Sequence, residues 1–173
     1  EVGGTVGDIE SLPFLEAIRQ MRNEIGRENV LNIHVTLLPY ISATGELKTK
    51  PTQHSVKELR SIGIQPDAII CRSDCPIPPP IKDKVSLFCD VPRDAVIPLI
   101  TVPGVYEVPL ILEAYNLGDL LVRSLGLPDY GKDLAEWAAM VEHMVRPKEK
   151  VPIALVGKYV EFPDSYISVN EAL

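Results

Sequence analysis

The sequence has no surplus of basic residues and no long apolar run. Its 17 Lys and Arg residues face 24 Asp and Glu residues, for a net charge of −7, whereas a non-specific nucleic-acid binder needs a basic surplus. No stretch reaches the roughly 18 consecutive apolar residues of a transmembrane helix, and no basic segment followed by an apolar one marks a signal peptide. We therefore expect neither a nucleic-acid partner nor a membrane partner.

Cysteine is also scarce. The three cysteines, Cys71, Cys75 and Cys89, are an odd number for the disulfide framework of a secreted protein. Free thiols are typical of a reducing compartment, so we expect a cytoplasmic location.

The overall composition is that of a globular protein. Hydrophobic residues make up 46% of the 173 residues and charged residues 24%, which are ordinary values. At about 150 residues per domain, this length corresponds to one domain and part of another. The chain starts at Glu1 without a methionine and stops at Leu173 inside a predicted helix, so we expect an internal piece of a longer protein.

Strand and helix patterns alternate along residues 1–126. Strands are predicted at 31–37, 68–71 and 96–99, and helices at 81–89, 105–114 and 117–125. Two further helices are predicted, one from a cap at Asp8 or Ser11 to Gly26 and one from a cap at Thr52 or Ser55 to Gly63. The alternation in the first strand predicts that His34 points outward. Strands that alternate with helices pair in parallel, so we expect a doubly wound α/β sheet. Ligands of such sheets bind outside the carboxyl ends of the strands.

The remainder of the chain has a different organisation. Residues 127–150 contain one amphipathic helix around 134–141 and are predicted to be an interdomain linker. The apolar run 151–156 is predicted to be the first strand of a second α/β domain, and 165–173 to begin its first helix.

A glycine-rich loop, residues 3–7, leads from a predicted strand end at Val2 into the first helix. Glycines let a ligand approach the backbone, and a helix N-terminus can face an anion, but the lysine of a P-loop motif does not follow. The acids Glu1, Asp8 and Glu10 would repel a phosphate unless they hold Mg²⁺ or bond to the ligand's hydroxyls or base. A simple turn with helix-capping acids is the alternative.

A second candidate site is the segment 48–53, which reads Lys-Thr-Lys-Pro-Thr-Gln and precedes a predicted helix. Ammonium groups, hydroxyls and free helix N–H groups together can hold a polyphosphate. The alternative is a solvated loop with a capped helix. Lys84 would ordinarily be a surface lysine, and Phe88, one turn later, a core residue or a surface on which a base stacks.

Several motifs carry a resemblance to a known family. They are the segments 1–14, 48–53, 63–67, 71–73, 106–109, 155–159 and 163–166. Together they resemble the CTP synthases, in the same order along essentially the whole chain, and a bacterial form is indicated.

The resemblance implies the following activity. An amidoligase domain of P-loop NTPase type, here 1–126, phosphorylates the uracil O4 of UTP with ATP, and ammonia displaces the phosphate. A class I glutamine amidotransferase domain, here beginning at 151–173, makes the ammonia from glutamine. The family needs Mg²⁺, is activated by GTP and inhibited by CTP, and works as a homotetramer that can form filaments.

The resemblance also implies residue roles. Glu1 matches a Mg²⁺ ligand, and Asp8, Ile9 and Glu10 match the segment that contacts CTP. The residues expected to bind UTP and CTP are Lys48, Thr49, Lys50, Pro51, Thr52 and Gln53, with Lys84 and Phe88. Ile100, Thr101 and Val102 match the stretch beside the ATP adenine, although many relatives have an aspartate in place of Thr101.

We expect no catalytic residue within this span. The resemblance places the P-loop before Glu1 and the glutaminase Cys-His-Glu triad after Leu173, and none of the three cysteines matches the nucleophile. Two other readings remain open: a different ATP-dependent amidoligase of similar fold, and a nucleotide-sensing assembly module without activity of its own.

Overall fold

A computed structural model describes residues 2–146, 149 and 151–173. The strands are β1 (Ile33–Leu37), β2 (Tyr40–Ile41), β3 (Glu46–Leu47), β4 (Ala68–Ser73) and β5 (Val96–Ile100). The helices are α1 (Leu12–Ile25), α2 (Lys50–Ser61), α3 (Pro79–Cys89), α4 (Val108–Ala114), α5 (Leu117–Ser124), α6 (Ala135–Val145) and α7 (Ile167–Ala172). Short 3₁₀ turns cover Arg27–Asn29, Arg93–Ala95, Val105–Glu107 and Pro163–Tyr166.

The main sheet is parallel and has the order β1-β4-β5. Ile70 of the central strand β4 pairs with Val35 on one side and with Ile97 on the other. Parallel neighbours require crossover connections, which α2 and α3 provide. The predicted α/β fold with a parallel sheet is thus confirmed.

The core lies on both faces of β4. On one face, Ile69 and Cys71 pack in a cluster with Val56 of α2 and Val85 of α3. On the other face, a second cluster joins Ile70, Ile97 and residues of α4 and α5. Burial on both faces explains why β4 and β5 are continuous apolar runs instead of alternating patterns.

The orientation of β1 is the reverse of the prediction. Ile33, Val35 and Leu37 are exposed, whereas His34 and Thr36 face α2. His34 Nε2 lies 2.9 Å from the Ser55 hydroxyl. The alternation correctly predicts a strand, but the outward position predicted for His34 is wrong because α2 offers hydroxyl partners to the polar side of the strand.

The start of α2 also differs from the prediction, whereas the start of α1 agrees with it in position. α2 begins at Lys50, with Thr49 at its N-cap, so Thr52 lies inside the helix and bonds to Thr36 at 2.9 Å instead of capping. At α1, Ser11 occupies the N-cap, but its hydroxyl donates back to the Asp8 carbonyl. In both helices a proline stands in the first turn, a position that favours the start of a helix.

The chain divides into two compact units, residues 1–141 and 142–173. In the second unit, residues 151–157 form no strand, so the predicted first strand is wrong for this structure, because a strand needs a neighbour to take its backbone hydrogen bonds. The helix predicted there is present as α7. The domain boundaries at 126 and 150 stay a prediction. None of the described helices is long and apolar enough to cross a membrane.

The half-buried position of His34 predicts a pH effect on stability. Burial lowers the pKa of His34, whereas an unfolded chain restores the ordinary value of about 6.5. The unfolded state therefore binds more protons below about pH 6.5, and the free energy of unfolding should fall as the pH drops through this value. In His34→Gln the loss between about pH 7 and pH 5.5 should be smaller, as measured by urea denaturation at each pH. The exposed His54→Gln is the control, and a loss that is unchanged in His34→Gln would contradict the assignment.

Candidate functional site

The glycine-rich loop forms a tight turn held by Asp8. The Asp8 carboxylate accepts a hydrogen bond of 2.7 Å from the Thr5 amide. Gly4 has a φ of +85°, and a Cβ there would lie 2.8 Å from Asp8 Oδ2, so a side chain cannot replace it without strain. The turn leaves Ile9, 82% exposed, and Glu10 at the surface.

Glu10 lines a small, mostly apolar cavity. The cavity has a volume of about 270 Å³ and is bordered by Val2, Gly3, Ser11 and Phe14. One carboxylate in apolar surroundings can accept a hydrogen bond from an amine or a hydroxyl. The arrangement can recognise a base or a sugar but has no cation for a phosphate.

The lysine-rich segment begins α2. Lys48 precedes the helix and Lys50 is its first residue, exposed to solvent. The Thr49 hydroxyl is buried and accepts a hydrogen bond of 3.0 Å from Gln53 Nε2. The Thr52 side chain is fully buried, so a ligand meets the lysines and the helix N-terminus before it meets either hydroxyl.

Lys84 lies at a cavity beside this segment. The cavity has a volume of about 480 Å³, and its walls are Tyr40, the turn 45–47, the loop residues Cys75, Pro76 and Pro78, Ile81 and Lys84. Glu46 in that turn is ion-paired with Lys48, and the positive charge of Lys84 also contributes to a lowered pKa of Glu46. Glu46 is thus ion-paired with Lys48 and lies near Lys84, and their role in binding a nucleotide stays a prediction. Phe88, 55% exposed, lies one helical turn beyond Lys84 on α3.

The two candidate segments lie at opposite ends of α2. A Cβ at Gly7 would lie 3.6 Å from Cγ of Glu58, which is near the C-terminal end of α2, whereas the lysines are at its start. Lys50 and Glu58 are eight residues apart on α2, which corresponds to about 12 Å along the helix axis. Within one chain, the structure does not bring Asp8–Glu10 next to the lysines.

The carboxyl ends of β4 and β5 carry the segment matched to the ATP adenine. The Thr101 amide donates to the Ser73 carbonyl at 2.9 Å, and the Thr101 hydroxyl donates to Asp74 Oδ1 at 2.8 Å. Ile100 and Thr101 are exposed, and Val102 is half-buried. Thr101 thus has a carboxylate partner at the end of the neighbouring strand.

Sequence reasoning missed Glu46 and Asp74. Glu46 is two residues before Lys48, a spacing that places two side chains on the same side of an extended chain. Asp74 follows a buried strand directly, which is a position where ligands bind in doubly wound sheets. The loop after Asp74 also supplies Cys75 and Pro76 to the cavity lined by Lys84. One loop therefore borders both this cavity and the segment matched to the ATP adenine.

Two of the three thiols are poor nucleophiles, and the described carboxylates form no metal cluster. Burial raises the pKa of the Cys71 thiol to about 12 and also raises that of Cys89, so neither is a nucleophile at neutral pH. Within residues 2–146, 149 and 151–173 no cluster of three or more His, Cys, Asp or Glu side chains could hold a metal. Glu1, the predicted Mg²⁺ ligand, lies outside the described residues.

Comparison with known proteins identifies the family to which the chain belongs. A family model described as CTP synthase N-terminus matches residues 1–127. All 173 residues align with CTP synthases of Methanocaldococcus jannaschii at 61% identity, of Chloroflexus aurantiacus at 64% and of Dehalococcoides mccartyi at 65%. Each alignment covers 100% of this chain and 32% of the relative, so the chain spans about a third of the length of these curated relatives. The resemblance read from the motifs is confirmed.

Proposed function

Since the chain belongs to the CTP synthase family, we propose that the complete protein is a ligase that aminates UTP to CTP with ATP and glutamine-derived ammonia. In this proposal the chain contributes the surface that grips the triphosphate of UTP and of the inhibitor CTP. The catalytic phosphate loop and the glutaminase triad are supplied outside residues 1–173.

The observation that carries the proposal is that Lys48 and Lys84 both lie near Glu46, next to the start of α2. The net charge of −7 repels a triphosphate, which carries about four negative charges, so binding has to depend on local charge. Lys84 and Glu46 line the cavity, Lys48 is ion-paired with Glu46, and Lys50 is the first residue of α2. The N-terminus of that helix adds a partial positive charge and backbone donors. A second nucleotide site of this kind is needed only when the acceptor is itself a nucleotide.

The separation of the two candidate segments supports a site shared between copies. Asp8, Ile9 and Glu10 lie away from the lysines along α2, so the base of a nucleotide bound at the lysines of one copy would contact these residues in another. We therefore propose a homotetramer, with filaments as a further level of assembly.

ATP is proposed to bind at the carboxyl ends of β4 and β5. Ile100 and Val102 can offer main-chain groups to the adenine there, and the Thr101–Asp74 pair, joined at 2.8 Å, stands where many relatives have an aspartate. The described residues do not form a Mg²⁺ site on their own, so no step is derived through the metal. Mg²⁺ as cofactor, GTP as activator, CTP as inhibitor and a cytoplasmic location complete the proposal by resemblance.

The test is CTP formation by the complete protein. CTP should appear from UTP only when ATP is present together with glutamine or ammonia, as followed by the rise in absorbance when uracil becomes cytosine. An amidoligase for a carboxylate would consume ATP without UTP, and a sensing module would bind UTP or CTP without turnover. Either result would refute the proposed reaction and identify which alternative holds.

A further inference from the structure

The hairpin β2–β3 presents a carboxylate to the cavity that should receive phosphate. Glu46 pairs with Ile41 across the hairpin, and the chain stays in register past β3 because the Lys48 amide donates to the Pro39 carbonyl at 2.9 Å. Glu46 and Lys48 are two residues apart on an extended chain, so their side chains emerge on the same side. The outcome is an ion pair between Lys48 Nζ and Glu46 Oε2.

This carboxylate is charged and faces more than one cation. Lys48 lowers the pKa of Glu46 by a hydrogen bond and by its charge, and Lys84 lowers it further. Both Glu46 and Lys84 line the cavity of about 480 Å³. At neutral pH, Glu46 therefore places one negative charge near two of the lysines proposed to hold the triphosphate.

A phosphate oxygen and the Glu46 carboxylate compete for the same ammonium group, that of Lys48. An ammonium group is a compact point charge with three donors, and a second anion near it is repelled by the first. A phosphate that reaches Lys48 has to displace Glu46 or accept its repulsion. The side chains of Glu46 and Lys48 are 59% and 42% exposed, so the pair is weak enough to be exchanged.

We infer that Glu46 is an internal competitor for the phosphate chain: it occupies Lys48 in the empty site and holds the affinity for nucleotides below what the lysines alone would give. This inference rests on the proposed function, because it assumes that Lys48 receives phosphate. The competition concerns the phosphate end alone, so it affects every ligand that carries the same phosphate chain by the same factor.

The opposite role for Glu46 would be to support nucleotide binding. A carboxylate can hold a lysine in the conformation that a ligand needs, in which case its removal weakens binding. The sign of the effect of Glu46→Gln therefore separates competition from positioning. This substitution keeps nearly the size of the glutamate side chain and removes its charge.

The experiment is a double-mutant cycle on the complete protein. Equilibrium binding of UTP, CTP and inorganic tripolyphosphate is measured without ATP or glutamine for the wild type, Glu46→Gln, Lys48→Gln and the double variant. Glu24→Gln, an exposed glutamate of α1, is the control for the change in net charge. We expect Glu46→Gln to tighten all three ligands by the same two- to fivefold factor, which is about the strength of an exposed ion pair.

The double-mutant cycle also distinguishes a failure of the inference about Glu46 from a failure of the proposed function. Lys48→Gln should weaken all three ligands, and Glu46→Gln should give no gain in its presence, because the competition needs Lys48. If Lys48→Gln weakens binding while Glu46→Gln leaves it unchanged, weakens it or acts no differently from Glu24→Gln, the internal competitor is refuted and the triphosphate site stands. If neither the wild type nor Glu46→Gln binds UTP or tripolyphosphate, both the inference and the proposed function fail.

Discussion

Ile97→Ala should lower the free energy of unfolding by about 2–5 kcal/mol, which is the range for removing a buried isoleucine side chain and leaving a cavity. Ile97 is 0% exposed, pairs with Ile70 across β4 and β5 and belongs to the cluster that covers one face of the sheet. Urea denaturation followed by far-ultraviolet circular dichroism measures the change.

The matched control for this substitution is Leu87→Ala on α3. Leu87 is 76% exposed, so the same kind of truncation should change the free energy of unfolding by less than about 0.5 kcal/mol. A similar loss in both variants would show that burial against β4 is not what makes Ile97 important.

The position of Ile97 in the core could be predicted from the sequence. Short apolar runs at 68–71 and 96–99 predict two strands, and the structure confirms both as β4 and β5. For such a run the question of which face is buried does not arise, because both faces of the strand are buried. The helices between them follow from apolar residues three and four apart.

The facing of β1 could not be predicted in the same way. Alternation shows that one side of a strand is apolar, but it does not show which side meets the rest of the chain. Here the polar side does, because His34 and Thr36 find hydroxyl partners on α2. The hairpin β2–β3 escapes prediction because its strands have two residues each, too few for a period to be visible.

The candidate site could be predicted residue by residue but not in its geometry. The lysine-rich segment and the acids after the glycine loop are visible as motifs, and Lys84 enters through the resemblance. Their spatial relations depend on α2, which holds Lys50 at one end and Glu58, near the glycine loop, at the other. Asp74 becomes visible as the partner of Thr101 only when β4 and β5 are assembled, whereas the spacing of Glu46 and Lys48 is a signal present in the sequence.

The second large effect is expected for Lys50→Ala. In the complete protein this change should raise the apparent constants for UTP and for inhibition by CTP together, by roughly 10- to 150-fold. The physical reason is that a hydrogen bond to a charged group that becomes desolvated contributes about 1.5–3 kcal/mol. Lys50 stands at the N-terminus of α2, where a bound phosphate covers both the ammonium group and the first helix N–H groups. Unlike Lys48, it has no carboxylate partner among the ion pairs of the described residues.

Lys57→Ala provides the control on the same helix. Lys57 is exposed on α2 and lies two turns beyond Lys50, about 10 Å along the axis, so the loss of its charge should change either constant less than twofold. Lys50→Arg should recover part of the affinity, since a planar guanidinium keeps the charge but does not occupy the place of an ammonium group. UTP, UDP and UMP titrated at two salt concentrations should bind in falling order, with the steepest salt dependence for UTP. Equal affinities for the three nucleotides, or equal effects of Lys50→Ala and Lys57→Ala, would leave the segment 48–53 a solvated helix start.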